Sequence, residues 1–387
     1  LSYDYRSILN KYTSPDGSDT NTGEVYSLPI FACAGLMWMA SATDLVSIFV
    51  ALELVTISFY VMVAFMRRNV GSLEAGAKYL ILGALSTGFL VYGIAWIYGA
   101  LGATHLSQFT DAEPTTSLLF GIALVIIALA FKVGAAPMQL WIPDVYQGAP
   151  TPVSAFLSVA SKAAGFGVAI AILRPFLENE ATRPHVATIL VILAASTLLY
   201  GNLAAIAQTN FKRLLAYSSI AHAGFLLIGL ATGAFSSVLF YLATYLIMTF
   251  AAFFVLSLIH NSEGSDEISA LDGLGKRNPY LAFSLTIIMA AMAGVPFTAG
   301  FVGKFLMFQT AMSNIQTVHW LTVMIALIGA ACGFYYYFKI IRAIYWNQSE
   351  YSESIAISRI SRCTLVVLTS ALIVFGVYPA PLLKLLG

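Results

Sequence analysis

The chain has 387 residues, of which 59% are hydrophobic and 10% charged, and its mean hydropathy is +0.84. Soluble domains carry about 25% charged residues, so the composition excludes a soluble protein and specifies a polytopic membrane protein set in a lipid bilayer. A net charge of +1 gives no grip on nucleic acid. Cys33, Cys332 and Cys363 are scattered, with neither metal spacing nor a disulfide framework, and the five histidines are equally dispersed.

Residues 1–24 are polar, and the stretch SPDGSDTNTG reads as a loop. They show no signal-peptide pattern. The sequence opens at Leu1 rather than Met, so further chain is expected ahead of it. Apolar runs then reach the ~20 residues that a crossing needs. Spans are predicted at 25–43, 45–65, 74–98, 117–147, 152–174, 186–207, 212–231, 234–259, 279–313, 318–345 and 361–380. The expected fold is therefore all-α, with eleven transmembrane helices. Thirteen of the nineteen lysines and arginines fall on the side of the leading loop, three on the other side and three inside spans. That bias places the leading side, with loops 66–73, 208–211, 260–278 and 346–360, in the cytoplasm.

Two spans are broken. One is interrupted at GAAP (134–137), the other at GVPFTAG (294–300). Each break is fourth in a group of five spans, and each has a lysine beside it, Lys132 or Lys304. A five-span unit is odd, so two in tandem must run in opposite directions, as in transporters built from inverted repeats. The predicted organisation is a polar loop (1–24), a first five-helix repeat (25–175), an inverted second repeat (186–345), and a C-terminal loop with a last helix (346–387).

Ionisable groups inside the spans are the candidate chemistry, since a lysine at the centre costs ~2.5–3.5 kcal/mol on insertion scales. Glu53 lies in ALELVTISFY and needs a cation, for which Lys132 is the natural partner. If the pair moves, it switches the lysine's proton affinity; if it is static, it fixes helix packing. Lys162 has no carboxylate in its own span and is expected in the bundle interior near water. Lys304 follows the second break and is similarly placed. His222, with Ser218 and Ser219, takes the place of Glu53 in the second repeat, either as a relay or as a packing histidine. Lys78 follows Glu74 by four residues, as a surface pair or a cytoplasmic access residue. Asp144 reads as a cap or local backbone ligand, and Asp44 as the N-cap of the 45–65 helix. Tyr335, Tyr336 and Tyr337 read as packing or interface aromatics. Gly165-Phe166-Gly167 lacks a third glycine and lies in a span, so no dinucleotide loop is indicated. No Cys or His set has the spacing for an Fe–S cluster or haem.

The segments LELVTISFYVMVAF (52–65), EAGAKYLILGALSTG (74–88), WIPDVYQGAPTPVSAFLSVASK (141–162), NFKRLLAYSSIAHAGF (210–225) and GVPFTAGFVGKF (294–305) carry a resemblance. They look like the N-type antiporter-like membrane subunits of the proton-pumping NADH:quinone oxidoreductase, respiratory complex I. The likeness runs through nearly the whole chain, and PDVYQGAPTPV with SSIAHAGF is its most specific part. Members of that family usually have about three more helices ahead of the point where this sequence begins. The resemblance implies a subunit of the membrane arm through which protons move while quinone is reduced elsewhere. It implies neighbours that include further antiporter-like subunits, with NAD, FMN, Fe–S clusters and quinone held by other subunits. By motif position it casts Glu53, Lys132, Lys162 and Lys304 as the proton relay, with Lys78 and His222 as further members. A bacterial cytoplasmic membrane is expected, with an organelle membrane as the alternative. The competing functions are a cation/proton antiporter subunit and a single-chain transporter of a small solute.

Overall fold

The computed structural model describes residues 6–13, 23–348, 355 and 357–386. The helices are α1 (Arg6–Thr13), α2 (Gly23–Ser41), α3 (Leu45–Val63), α4 (Val70–Leu101), α5 (Thr116–Val133), α6 (Trp141–Gly148), α7 (Thr151–Glu178) and α8 (Arg183–Ile206). They continue with α9 (Phe211–Ala231), α10 (Phe235–Glu263), α11 (Leu274–Arg277), α12 (Pro279–Ala293), α13 (Ala299–Ser313), α14 (Ile315–Trp346), α15 (Arg359–Val377) and α16 (Ala380–Leu386). Among the described residues, ten helices are long and apolar enough to cross a membrane, and α12 is a shorter apolar helix. The predicted 279–313 span is thus two fifteen-residue helices. The eleventh crossing depends on α12 and α13 acting as one.

Several expectations are corrected at the ends. The leading stretch read as a loop contains α1, while residues 14–22 lie outside the described residues. The 361–380 span stops at Val377, and a separate α16 follows. α4 and α10 overrun their apolar spans because capping residues set their ends. Asn69 accepts the Ser72 amide at the start of α4, and Gly102 and Gly264 close α4 and α10 in the left-handed region, at φ 67° each.

Both breaks are made the same way. Gly134 (φ 77°) and Gly294 (φ 88°) turn the chain out of α5 and α12 in a conformation that a side chain disfavours. The amides of Ala135 and Val295 then reach back to the carbonyls of Ala130 and Ala290, at 2.8 and 3.0 Å. These are the long bonds of a Schellman end. Backbone freed at membrane depth must find partners inside the protein. The Ala136 amide donates to Thr197 Oγ1 of α8 at 2.9 Å, and Trp141 Nε1 donates to the Phe131 carbonyl at 3.0 Å.

The two halves share a second signature. Asp44 caps α3 as expected, accepting from the amides of Val46 and Ser47, and its strand-like bridge to His105 ties the start of α3 to the chain leaving α4. Burial works against the Asp44 charge, but the Thr104 hydroxyl and these amides hold its carboxyl below the usual range. Asn210 caps α9 in the same manner, and its bridge to Glu267 ties α9 to the chain leaving α10. The first bridge sits at the end where Asn179 donates to the carbonyls of Thr110 and Ala112. The second sits at the opposite end, where Lys339 donates to Gln208 and Arg213 meets Asp144. One construction therefore occurs twice, pointing opposite ways.

Candidate functional site

The bundle interior is organised around α9, whose apolar eighteen-residue window is wholly buried. Four lysines are buried with it: Lys132 at 8% exposure, Lys162 at 3%, Lys304 at 7% and Lys212 at 3%. Their partners divide them. Lys132 Nζ donates to Thr56 Oγ1 at 2.5 Å. Lys162 Nζ donates to the Ser219 carbonyl and lies 5.1 Å from the Tyr245 ring centroid. Lys304 reaches back across the second break and donates to the carbonyls of Met292 and Ala293, at 2.8 and 2.9 Å. Those carbonyls are the unpaired, negative end of α12, a natural seat for an ammonium. Among the described residues, no carboxylate lies within ion-pair distance of these three. Lys212 differs, since Asp266 meets it at 3.1 Å and His260 meets Asp266 at 2.7 Å.

The expected Glu53–Lys132 ion pair is not formed. Glu53 Oε1 accepts from the Thr87 hydroxyl of α4 at 2.7 Å. Glu53 and Thr56 lie one turn apart on the same side of α3, and the packing of α3 between its neighbours gives Glu53 to Thr87 of α4 and Thr56 to Lys132. Glu53 is half-buried and opens on a flank cavity of about 740 Å3 between α3 and α4, which Tyr60 and Thr87 also line.

His222 is corrected in register. Counted from the bonded caps, Glu53 is the ninth residue after Asp44, and the ninth after Asn210 is Ser219. His222 corresponds instead to Thr56, one helical turn on. Its ring is fully engaged, with Nδ1 2.7 Å from the Tyr241 hydroxyl and Nε2 3.0 Å from the Tyr337 hydroxyl. Tyr337 also bonds the Ser218 hydroxyl. His222 lies within Coulombic reach of both Lys162 and Lys304. Tyr337 and Tyr241 were missed at the level of sequence, where an aromatic in a span reads as packing. Tyr335 is indeed exposed, whereas Tyr336 and Tyr337 are buried, and Tyr336 donates to Asn202 Oδ1 at 3.2 Å.

Lys78 keeps its expected contact with Glu74 at 2.6 Å, but it also meets Asp144 at 2.7 Å. Asp144 is therefore not a local cap. Its second oxygen takes Arg213 at 2.8 Å, so one carboxylate joins α4, α6 and α9.

Residues 42–329 match the family described as NADH:quinone oxidoreductase/Mrp antiporter, TM. NADH-quinone oxidoreductase subunit N of Desulforamulus reducens is 40% identical over 383 residues, which is 97% of this chain and 79% of that protein. Subunit N 2 of Solibacter usitatus is 41% identical over 98% of this chain and 77% of its own length. A chain of respiratory complex I from Thermus thermophilus superposes with a TM-score of 0.82 at 34% identity, covering 99% of this chain and 84% of that one. A chain of an archaeal membrane-bound sulfane sulfur reductase superposes at 0.86 with 28% identity, over 99% and 78% of the two chains. With discontinuous helices, lysines buried beside them and this agreement along almost its whole length, the chain belongs to the family of NADH-quinone oxidoreductase subunit N.

Proposed function

We propose that this chain is the proton-translocating N-type subunit of an NADH:quinone oxidoreductase, in which Lys132, Lys162, His222 and Lys304 pass protons along the bundle interior. It is a multi-pass protein of the bacterial cytoplasmic membrane and works among other membrane-arm subunits, further antiporter-like subunits included. NAD, FMN, Fe–S clusters and quinone belong, in this reading, to other subunits. The two inverted five-helix units are 25–175 and 186–345, and α12 with α13 forms the eleventh crossing.

The observation that carries the relay is the neutrality of the lysines' partners. A lysine locked to a carboxylate is a poor carrier, because releasing its proton would leave the anion alone in a low dielectric. Lys132, Lys162 and Lys304 instead donate to a hydroxyl or to carbonyls. Such partners tolerate either protonation state. Ser218, Tyr337, His222 and Tyr241 are bonded in sequence, and His222 lies within Coulombic reach of both Lys162 and Lys304. A neutral imidazole with both nitrogens engaged accepts a proton on one side and yields one on the other. Charge on Glu53, within Coulombic reach of Lys132, sets how readily Lys132 gives its proton up. Glu53 opens on the flank, so a neighbouring subunit can change that charge from outside. Lys78, held by Glu74 and Asp144, stands at the cytoplasmic end of the same half.

Lys132→Arg tests the proposal. Guanidinium holds its proton at all accessible pH, so redox-driven proton uptake into membrane vesicles should collapse while the complex still assembles. Normal assembly with unmodified pumping would make Lys132 a structural cation. The cation/proton antiporter alternative predicts isolation without flavin and Fe–S subunits.

A further inference from the structure

One membrane helix, α15, stands outside both proposed repeats. It is mostly exposed, with 22% of its apolar window buried. What it buries is a single stripe: Ser361, Leu365, Thr369 and Leu372, at spacings of four, four and three. Gly376, four residues further on, continues the stripe and meets the second break. A Cβ at Gly376 would overlap the Phe297 carbonyl oxygen and lie 2.5 Å from Thr298 Cα, closer than the 3.0 Å within which real Cβ atoms essentially never come. Both neighbours are backbone, so no side-chain rotation could relieve the overlap. Only glycine allows this approach.

The second break needs such a support. The first break is tied to the helix that follows its repeat, since the Ala136 amide donates to Thr197 of α8. At the matching place, two residues after the break glycine, the second break has Pro296, which has no amide to donate. α15 follows the second repeat as α8 follows the first, and it meets this break by close fit instead of a hydrogen bond. The next residue, Phe297, stands at φ 68°, a left-handed conformation that a bulky residue keeps only where its surroundings enforce it. Its side chain is 74% exposed. The enforcement therefore falls on its backbone, where Gly376 lies.

Thr298 carries this contact to Lys304. Its hydroxyl donates to the Val295 carbonyl at 2.6 Å and accepts from the Phe301 amide at 3.4 Å, so it joins the end of α12 to the start of α13. Lys304 belongs to α13, while its ammonium is seated on the α12 carbonyls of Met292 and Ala293. A shift of the Thr298 backbone moves one helix against the other, and the ammonium against its seat. We propose that Gly376 is a positioning residue for Lys304: through it α15 bears on the second break and fixes the reach of the Lys304 ammonium to those two carbonyls. Gly376 itself handles no proton.

The inference rests on Lys304 as a proton carrier, and the experiment separates the two ideas. Proton uptake and quinone reduction are measured in the same vesicles, and their ratio is the readout. Poor assembly lowers both together and leaves the ratio unchanged. Helix propensity alone favours alanine over glycine, so Gly376→Ala should help α15 if only the helix matters. The ratio should instead fall several-fold in Gly376→Ala. Leu372→Ala, which empties the same stripe one turn earlier, should lower the amount of complex and keep the ratio. Where Gly376→Ala alone assembles too little to assay, Phe297→Gly is added, because glycine takes the left-handed conformation freely and lets the backbone yield to the methyl. The assembled double variant should then show a lower ratio than Phe297→Gly by itself. An unmodified ratio in assembled Gly376→Ala, a double variant equal to Phe297→Gly, or an equal fall in Leu372→Ala overturns the positioning role. If Lys304→Arg also keeps the ratio, the relay itself fails. If Lys304→Arg loses it while Gly376→Ala keeps it, only the positioning role is overturned.

Discussion

Lys162 and Lys212 are buried to the same extent, 3% exposed each, and both touch or belong to α9. Burial therefore does not distinguish them; their partners do. Lys212 faces Asp266, which His260 supports from the other side. Burial alone would raise the Asp266 carboxyl, but Lys212 and His260 outweigh it and hold it at about 2. It is an anion at any working pH and pins the ammonium beside it. Lys162 faces a carbonyl and an aromatic ring, with no carboxylate within ion-pair distance among the described residues. The first arrangement fixes a helix end, whereas the second is the one the proposed relay uses, since its neutral partners suit either protonation state.

The largest effect that could break this comparison comes from removing one side of the lock. Lys212→Met takes from the buried Asp266 its ammonium and leaves it the His260 ring, and breaking a buried ion pair on one side costs about 3–5 kcal/mol. The complex should then assemble poorly, as seen in native electrophoresis of membranes. Adding Asp266→Asn removes the stranded charge and should restore both assembly and proton uptake. A double variant that assembles but does not pump would make Lys212 a carrier.

A smaller effect sharpens the other half. Tyr337→Phe removes one hydroxyl and parts Ser218 from His222, leaving a buried ring nitrogen short of a partner at a cost of about 1–3 kcal/mol. Proton uptake should slow several-fold with quinone reduction in uncoupled membranes retained. Equal rates would remove Tyr337 from the relay.

The smallest effect is on acid stability. Asp266 has a lowered carboxyl, so it contributes stability that is fully present above about pH 4 and is lost as pH falls through about 2. Thermal melting of the purified complex should fall over that window, and Asp266→Asn should flatten the dependence. An identical slope in both would mean that the lock adds no stability.

Much of this was legible in the sequence. Gly134 and Gly294 mark both breaks because the turn out of each helix needs a left-handed residue, and Asp44 announces a cap. Lys132, Lys162 and Lys304 of the proposed relay stand out because charge within an apolar run is costly wherever the helix faces. Partners were harder to read. Glu53 and Thr56 are three residues apart, and only the packing of α3 between its neighbours decides which of them meets Lys132. Asp144 looked local because its cations, Lys78 and Arg213, are 66 and 69 residues away. Lys212 reads as one more cytoplasmic charge, since Asp266 lies in the loop after α10, 54 residues along the chain. Tyr337 gave no signal beyond an aromatic in a span.

The account's central claim is that a buried lysine with neutral partners carries protons and a buried lysine with a carboxylate partner does not. Lys162→Arg and Lys212→Arg, compared in the same vesicles for redox-driven proton uptake, test it most directly. Both keep a positive charge, so both should assemble; Lys162→Arg should lose proton uptake and Lys212→Arg should keep it. Retained pumping in Lys162→Arg, or its loss in an assembled Lys212→Arg, would contradict the account.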